Sequence, residues 1–164
     1  MIYKYCPVCA GELKTKSSSC LVCQKCGFEF FQNSKPTASG LFLNEKQEVL
    51  LLKRAISPSL GKWDTPGGFL ENGEDPIDGL RREMREELSL EIELGPILTI
   101  FIDHYGKNED VVYTFNVFYE AKILSDDIKL DHENSEYKWF AKDDIPWNDL
   151  AFQNTHHALH ALYK

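Results

Sequence analysis

Residues 67–90, GGFLENGEDPIDGLRREMREELSL, constrain this chain more than any other stretch. Asp75 suits a helix N-cap, and Pro76 suits the first helical position, where its missing N–H is no loss. Ile77, Leu80, Met84 and Leu88 then recur at helical spacing and define a stripe to be buried. Glu83, Glu86 and Glu87 stand three and four apart, so they converge on another side of the same helix. Arg82 sits four before Glu86 and is placed to brace it. Gly79 costs the helix about 1 kcal/mol relative to Ala without overturning it. Such a helix lays one face on a core and gathers repelling carboxylates on another. A solvated face laced with ion pairs is the ordinary fate of a charge run. The alternative is a hard divalent cation, magnesium or manganese, which takes oxygen ligands.

The flanking pattern is of strands. LFLN at 41–44 and VLLLKR at 49–54 read as a hairpin joined by the polar turn 44–48, after a linker at 34–39. WDTPGG at 63–68 reads as a short strand ending in a turn. Ile92–Asp103 and Val111–Ile123 read as longer strands, EYKWF at 136–140 as a short one, and FQNTHHALHALYK as a terminal helix. Strands alternating with two helices predict a mixed α/β fold in layers.

All five cysteines fall between Cys6 and Cys26. Cys6-x2-Cys9 and Cys23-x2-Cys26 give two turns, each offering two thiolates to one tetrahedral zinc, and Gly27 completes the second turn. Residues 1–33 are therefore expected to form a zinc ribbon held by Cys6, Cys9, Cys23 and Cys26, with residues 37–164 as the main domain. Cys20 is also spaced to replace one ligand; Cys23 and Cys26 are preferred, which leaves Cys20 a spare thiol near the surface. A unit this small draws its folding energy from the metal. Its expected role is a structural cap or a dimerisation element, with Phe28, Phe30 and Phe31 packing onto the main domain.

Net charge is −8 and the pI about 5.1, which argues against general affinity for nucleic acid or anionic membrane. No apolar run approaches the roughly 20 residues that span a bilayer. The N-terminus lacks the apolar core of a signal peptide, so the expected location is cytoplasmic.

The stretch beginning at Gly68 resembles the signature of the Nudix (MutT-type) hydrolases: Gly68, Glu74, Arg82, Glu83, the apolar Met84, Glu86, Glu87 and the apolar Leu90 stand at its spacing. Ser89 stands where that signature has Gly, and a slightly different C-terminal turn is expected there. WDTPGG and EYKWF followed by Asp143–Asp144 resemble the family's segments at those places. The cysteine-rich front resembles that of zinc-ribbon Nudix proteins, including NADH pyrophosphatases.

The resemblance implies an α/β/α sandwich with a mixed sheet, and a pyrophosphohydrolase cleaving a nucleoside diphosphate linked to another moiety. It implies Glu83, Glu86 and Glu87 as ligands of Mg2+ or Mn2+, joined by the carbonyl of Gly67 or Gly68. It gives Arg82 the task of orienting a glutamate and Glu74 a structural role. Glu133 or Glu136 would supply a base or further ligand. Trp63, Tyr105 and Phe152 are candidates for stacking on a nucleobase, against the plainer reading of aromatics as core. The substrate cues thin out here. ILTIFIDHYGKNED stands where NADH pyrophosphatases carry a motif like SQPWPFP. Tyr105, sixteen residues beyond Ser89, resembles the dinucleoside polyphosphate group. ADP-ribose is the favoured substrate type, with NADH, FAD and dinucleoside polyphosphates behind it. The competing function is a nucleotide-sensing module with the ribbon as its interaction element. A homodimer, with Phe30, Phe31 or Trp147 at its interface, is also open.

Overall fold

The computed structural model describes residues 3–105, 112–125 and 127–164. The cysteine-rich segment forms a small antiparallel sheet of β1 (Leu13–Thr15), β2 (Cys20–Cys23) and β3 (Glu29–Phe31) in the order β1-β2-β3. Its own core is small: Cys6, Leu13, Leu21 and Cys23, with Cys9 and Phe30 against them. The expected aromatic packing differs from the outcome. Phe30 turns inward to Tyr3 (4.7 Å between ring centroids), while Phe28 and Phe31 are exposed.

There is no linker at 34–39. That segment is β4 (Lys35–Phe42), an inner strand of the larger sheet, because its small residues let neighbouring strands and a glycine loop approach. The expected hairpin is also resolved differently. The turn at 44–48 forms, but it passes the chain from β4 to β5 (Val49–Arg54), which belongs to another sheet. β5 pairs with β6 (Trp63–Asp64) and with β10 (Asn134–Phe140), both antiparallel. The larger sheet runs β7-β4-β9-β8, with β7 (Gly67–Phe69), β8 (Ile92–Tyr105) and β9 (Val112–Ile123). β4 runs parallel to β9 and antiparallel to β7, so the sheet is mixed, as expected. The expected strand start at Val111 and part of the loop before it lie outside the described residues.

Alternation along the strands builds two cores. Ala38, Phe42, Leu50, Leu52, Val117 and Tyr119 face α1 (Pro76–Leu88), meeting Leu80, Met84 and Leu88. Leu41, Val49, Leu51 and Phe118 face the other way, toward Ala158 and Leu159 of α2 (Gln153–Leu162). A strand apolar on both sides, VLLLKR, is what a middle layer requires. The result is the expected α/β/α arrangement. No helix among the described residues is long and apolar enough to cross a membrane.

Candidate active site

α1 begins where the sequence places it. Asp75 accepts a hydrogen bond from the Ile77 amide (2.9 Å) and Pro76 opens the helix. One stripe residue departs: Ile77 is 38% exposed, since the first turn overhangs the sheet, and Gly79 is buried instead. The far end closes on Ser89 in the left-handed conformation (φ 55°, ψ 35°), with the Ser89 and Leu90 amides bonded back to Arg85 and Met84 carbonyls. The expected change of turn at Ser89 therefore does not occur; serine adopts the conformation that glycine adopts freely.

β7 delivers two glycines against this helix. Gly67 has φ +135°, and a Cβ there would lie 2.3 Å from the Ala38 carbonyl oxygen. A Cβ on Gly68 would fall 2.5–2.6 Å from the carboxylate atoms of Glu83. The chain thus lays the Glu83 carboxylate directly on backbone. The Gly67 amide donates to Glu87 Oε2 (3.1 Å), and Asn134 Nδ2 donates to Glu87 Oε1 (3.3 Å).

Arg82 ties the acids together. Its Nε and Nη2 donate to both oxygens of Glu74 (2.8 and 2.9 Å), its Nη1 to Glu83 and Glu86 (2.7 and 2.9 Å), and its Nη2 also to the Phe69 carbonyl (3.0 Å). Hydrogen bonding to Arg82 holds the Glu74 carboxyl down at about 2. Desolvation shifts both inner acids the other way, upward. It raises Glu83, with the charges of Glu86 and Glu133 adding to it, and it pushes Glu87 up to about 8 against the pull of the Gly67 amide.

A cleft of about 240 Å³ opens beside these groups. Glu83, Glu87, Glu133, Gly67 and Gly68 form its acidic end. Tyr105, Phe152 and Phe69 frame the remainder, with centroids 5.6 Å apart for Tyr105–Phe152 and 5.4 Å for Phe69–Tyr105. Besides Arg82 and Glu74, which brace the glutamates without lining the cleft, three more of the expected site residues are not in its wall. Glu86 is exposed and turned to Arg82. Glu136 is exposed and paired with Lys53 (3.2 Å), because the strand points its side chain outward. Trp63 is 8% exposed and packs edge-on against Phe140 in the core, since β6 turns it inward; the plainer reading of this aromatic is the correct one.

Other wall residues escaped the sequence reading. Arg54 is the sole arginine or lysine in the cleft wall among the described residues. Its Nε donates to the Pro58 carbonyl, its guanidinium carbon lies 5.2 Å from the Phe152 ring centre, and its Nη1 stands 3.6 Å from Asp64. Asp103, Thr114, Asn116 and Asn154 form a polar wall. The signal for them was present: Asp103, Thr114 and Asn116 interrupt strands otherwise filled with Ile, Phe and Val.

The donor set suits a hard divalent cation: two poorly solvated carboxylates share the cleft with a third, Glu133, and their charge is only partly offset by Arg82. The glutamates are nevertheless not drawn together. Among the described residues, only Cys6, Cys9, Cys23 and Cys26 bring three or more such ligand atoms within 4.8 Å of one another. The Cys9–Cys23 and Cys6–Cys26 sulfurs are 3.5 and 3.8 Å apart, near the ~3.8 Å edge of a tetrahedron with ~2.3 Å Zn–S bonds. The Cys26 amide is the main cause lowering Cys23 to about 6, and the Lys25 amide helps. At Cys26 the Phe28 amide pulls downward but is outweighed by the neighbouring thiols and desolvation, giving about 12. Amides aimed at sulfur are what a metal thiolate needs. Cys20 lies outside this group, buried rather than near the surface, with its thiol on the Leu21 carbonyl.

Residues 33–162 match the NUDIX domain family, and the chain belongs to that family. A Nudix hydrolase from Nitrosomonas europaea is similar in structure, with TM-score 0.79 and 31% identity over 96% of this chain and 88% of that one. The human 8-oxo-dGDP phosphatase NUDT18 is 30% identical over 106 residues, 65% of this chain. The match spans only about a third (32%) of that protein's length. The nucleoside triphosphatase NudI of Escherichia coli O81 is 31% identical over 59% of this chain and 72% of its own.

Proposed function

We propose that this protein is a metal-dependent pyrophosphohydrolase that cleaves the diphosphate bond of a nucleoside diphosphate linked to another moiety. The observation that carries this reading is the acidic end of the cleft, where desolvated Glu83 and Glu87 lie on the backbone of Gly67 and Gly68. Mg2+ or Mn2+, held by Glu83 and Glu87 with Glu86 at the rim, would neutralise phosphate oxygens and acidify the attacking water. Arg82 holds Glu83 and Glu86 in place, while Glu74 fixes Arg82. Arg54 is a candidate to take phosphate oxygens, since among the described residues its Nη groups have no protein acceptor closer than the 3.6 Å to Asp64. Glu133, in the cleft wall, is the carboxylate placed to accept the water proton. Water oxygen bonds to one phosphorus, the bridging P–O bond breaks, and two phosphate-bearing products leave. The named relatives act on nucleotides, which supports a nucleotide here. ADP-ribose is the favoured member of the class on sequence grounds.

Residues 1–33 would form a zinc ribbon ahead of a Nudix domain at 37–164, with Cys6, Cys9, Cys23 and Cys26 as ligands. A reducing, cytoplasmic compartment suits such thiols. Exposed Phe31 offers a contact to a second copy, whereas Phe30 is packed on Tyr3 and Trp147 on His160.

The test is formation of the nucleotide products, resolved by anion-exchange chromatography, from ADP-ribose, NADH, FAD, dinucleoside polyphosphates and nucleoside triphosphates with Mg2+ or Mn2+, for wild type and Glu86→Gln. Turnover that collapses in a folded Glu86→Gln supports the hydrolase. Turnover unchanged in that variant removes the metal role given to Glu86. Nucleotide binding without turnover in the wild type favours the sensing module.

A further inference from the structure

The cleft has a second polar group besides the glutamates of α1. Asp103 is its centre, with a side chain only 6% exposed. Its Oδ1 accepts from the His104 amide and its Oδ2 from the Asn154 amide, both at 2.8 Å. His104 Nδ1 lies 3.3 Å from Oδ1. A carboxylate has about four acceptor sites, so these backbone bonds leave acceptor capacity on each oxygen.

Asn116 is a support rather than a reader. Its Oδ1 accepts from Thr37 and Asn154 (2.8 Å each), and its Nδ2 donates to the Phe101 carbonyl and to Thr114 (2.9 Å each). Asn154 differs. One hydrogen of its Nδ2 goes to Asn116, and the other has no partner among the described residues. The cleft wall therefore offers two acceptor sites on Asp103 beside one amide donor on Asn154, and rings of Tyr105 and Phe152 border it.

We propose that Asp103 and Asn154 read guanine, so that the nucleotide taken by this cleft is a guanine nucleotide. Guanine presents N1–H and the 2-amino group side by side, next to the O6 acceptor. Two acceptors and a donor complement that edge. Adenine presents one amino group beside ring acceptors. Uracil presents one N–H between two carbonyls, and cytosine one amino group followed by two acceptors. In each of those, a carboxylate oxygen faces an acceptor and is repelled. Asn154 donates to O6. The assignment rests on the nucleotide reading of the cleft, and it replaces the adenine of the sequence expectation.

The plainer role for Asp103 is to cap α2, whose N-cap residue Phe152 has no side chain able to do so. The experiment separates the two. GMP, IMP and AMP are titrated calorimetrically into wild type and Asp103→Asn, and the matched diguanosine and diadenosine tetraphosphates are assayed for hydrolysis. GMP is expected to bind at least about tenfold more tightly than IMP, which lacks the 2-amino group, and than AMP. Asp103→Asn keeps an acceptor for the Asn154 amide and should bring the three affinities within about threefold. Asn154→Ala, which leaves Asp103 in place, should weaken GMP selectively and cover the case of an unfolded Asp103 variant. Equal affinities in the wild type, or no GMP binding at millimolar concentration, overturn the assignment. So does an unchanged ratio in a folded Asp103→Asn with a lower Tm, which leaves Asp103 as a helix cap. Hydrolysis of both tetraphosphates without preference defeats this inference and spares the hydrolase. Silence on both with GMP-selective binding does the reverse.

Discussion

Gly68 has no room for a side chain because Glu83 occupies the space. An added methyl would meet only the far end of a flexible side chain, the Glu83 carboxylate at 2.5–2.6 Å. Glu83 can swing away cheaply, so folding should survive. It would swing from its place on the cleft wall and strain the 2.7 Å bond from Arg82. Gly68→Ala is therefore expected to leave Tm within a few degrees and to lower kcat/KM by about a hundredfold or more, the scale of a 1 Å misplacement. A parallel melt and steady-state assay check this. A variant that unfolds, or one with full activity, would show that Glu83 is not the group Gly68 makes way for. The carboxylates of the motif were legible because their spacing is local to one helix. Asp103, Asn116, Asn154 and Arg54 were not, because they come from four elements and meet only through sheet pairing and α2.

At the scale of elements, α1 carries two separable features at its ends. Its C-terminus holds Ser89 at φ 55° with no glycine to relieve it. A left-handed conformation costs an ordinary residue about 1 kcal/mol, so Ser89→Gly should raise stability by up to that amount. For a chain of this size that is a Tm rise of about 2–4 °C by calorimetry. At the N-terminal end Glu74 closes the loop onto Arg82, and the bond holds its carboxyl at about 2 against the 4.5 of a free glutamate. A depressed folded value means that the ionised form stabilises the fold. That contribution is complete above about pH 4.5 and disappears as pH falls through about 2. Wild type should thus melt higher than Glu74→Gln at pH 6, with the two curves converging toward pH 2. A gap independent of pH would assign Glu74 a role by packing alone. The start of α1, its N-cap and three of its four stripe residues could be read from sequence because helical period and capping are short-range. The first part of β4 could not, although its end at Leu41–Phe42 was read as strand: KPTAS has the composition of a linker, and its strand state is imposed by pairing with β7 and β9.

Across the whole molecule, the cysteine-rich sheet and the α/β/α body share no core. The first has a cluster of Cys6, Leu13, Leu21 and Cys23, and none of these joins the two clusters that α1 and α2 cover. Four apolar side chains at about 1.5–3 kcal/mol each cannot offset the ordering of some thirty residues at about 1–2 kcal/mol apiece. On the proposed zinc site, the missing folding energy of this unit would come from a metal held by the four clustered sulfurs. The sequence foretold which four cysteines would cluster, since each paired turn is local. It did not foretell that Phe28 and Phe31 would stay exposed instead of fastening the unit to the body. Purified protein should hold one zinc per chain by elemental analysis. Stripping it with a strong chelator, or Cys23→Ser, should remove hydrogen-exchange protection from β1–β3 while β5, β9 and α1 keep theirs. The main calorimetric transition should persist with a similar Tm, because no side chain of either large core is lost. The proposed hydrolysis, assigned to groups from Gly67 onward and to Arg54, should then remain within about twofold once Mg2+ is restored. Collapse of protection throughout the chain would instead show that the two cores fold as one unit and that the cysteine site supports the cleft from a distance.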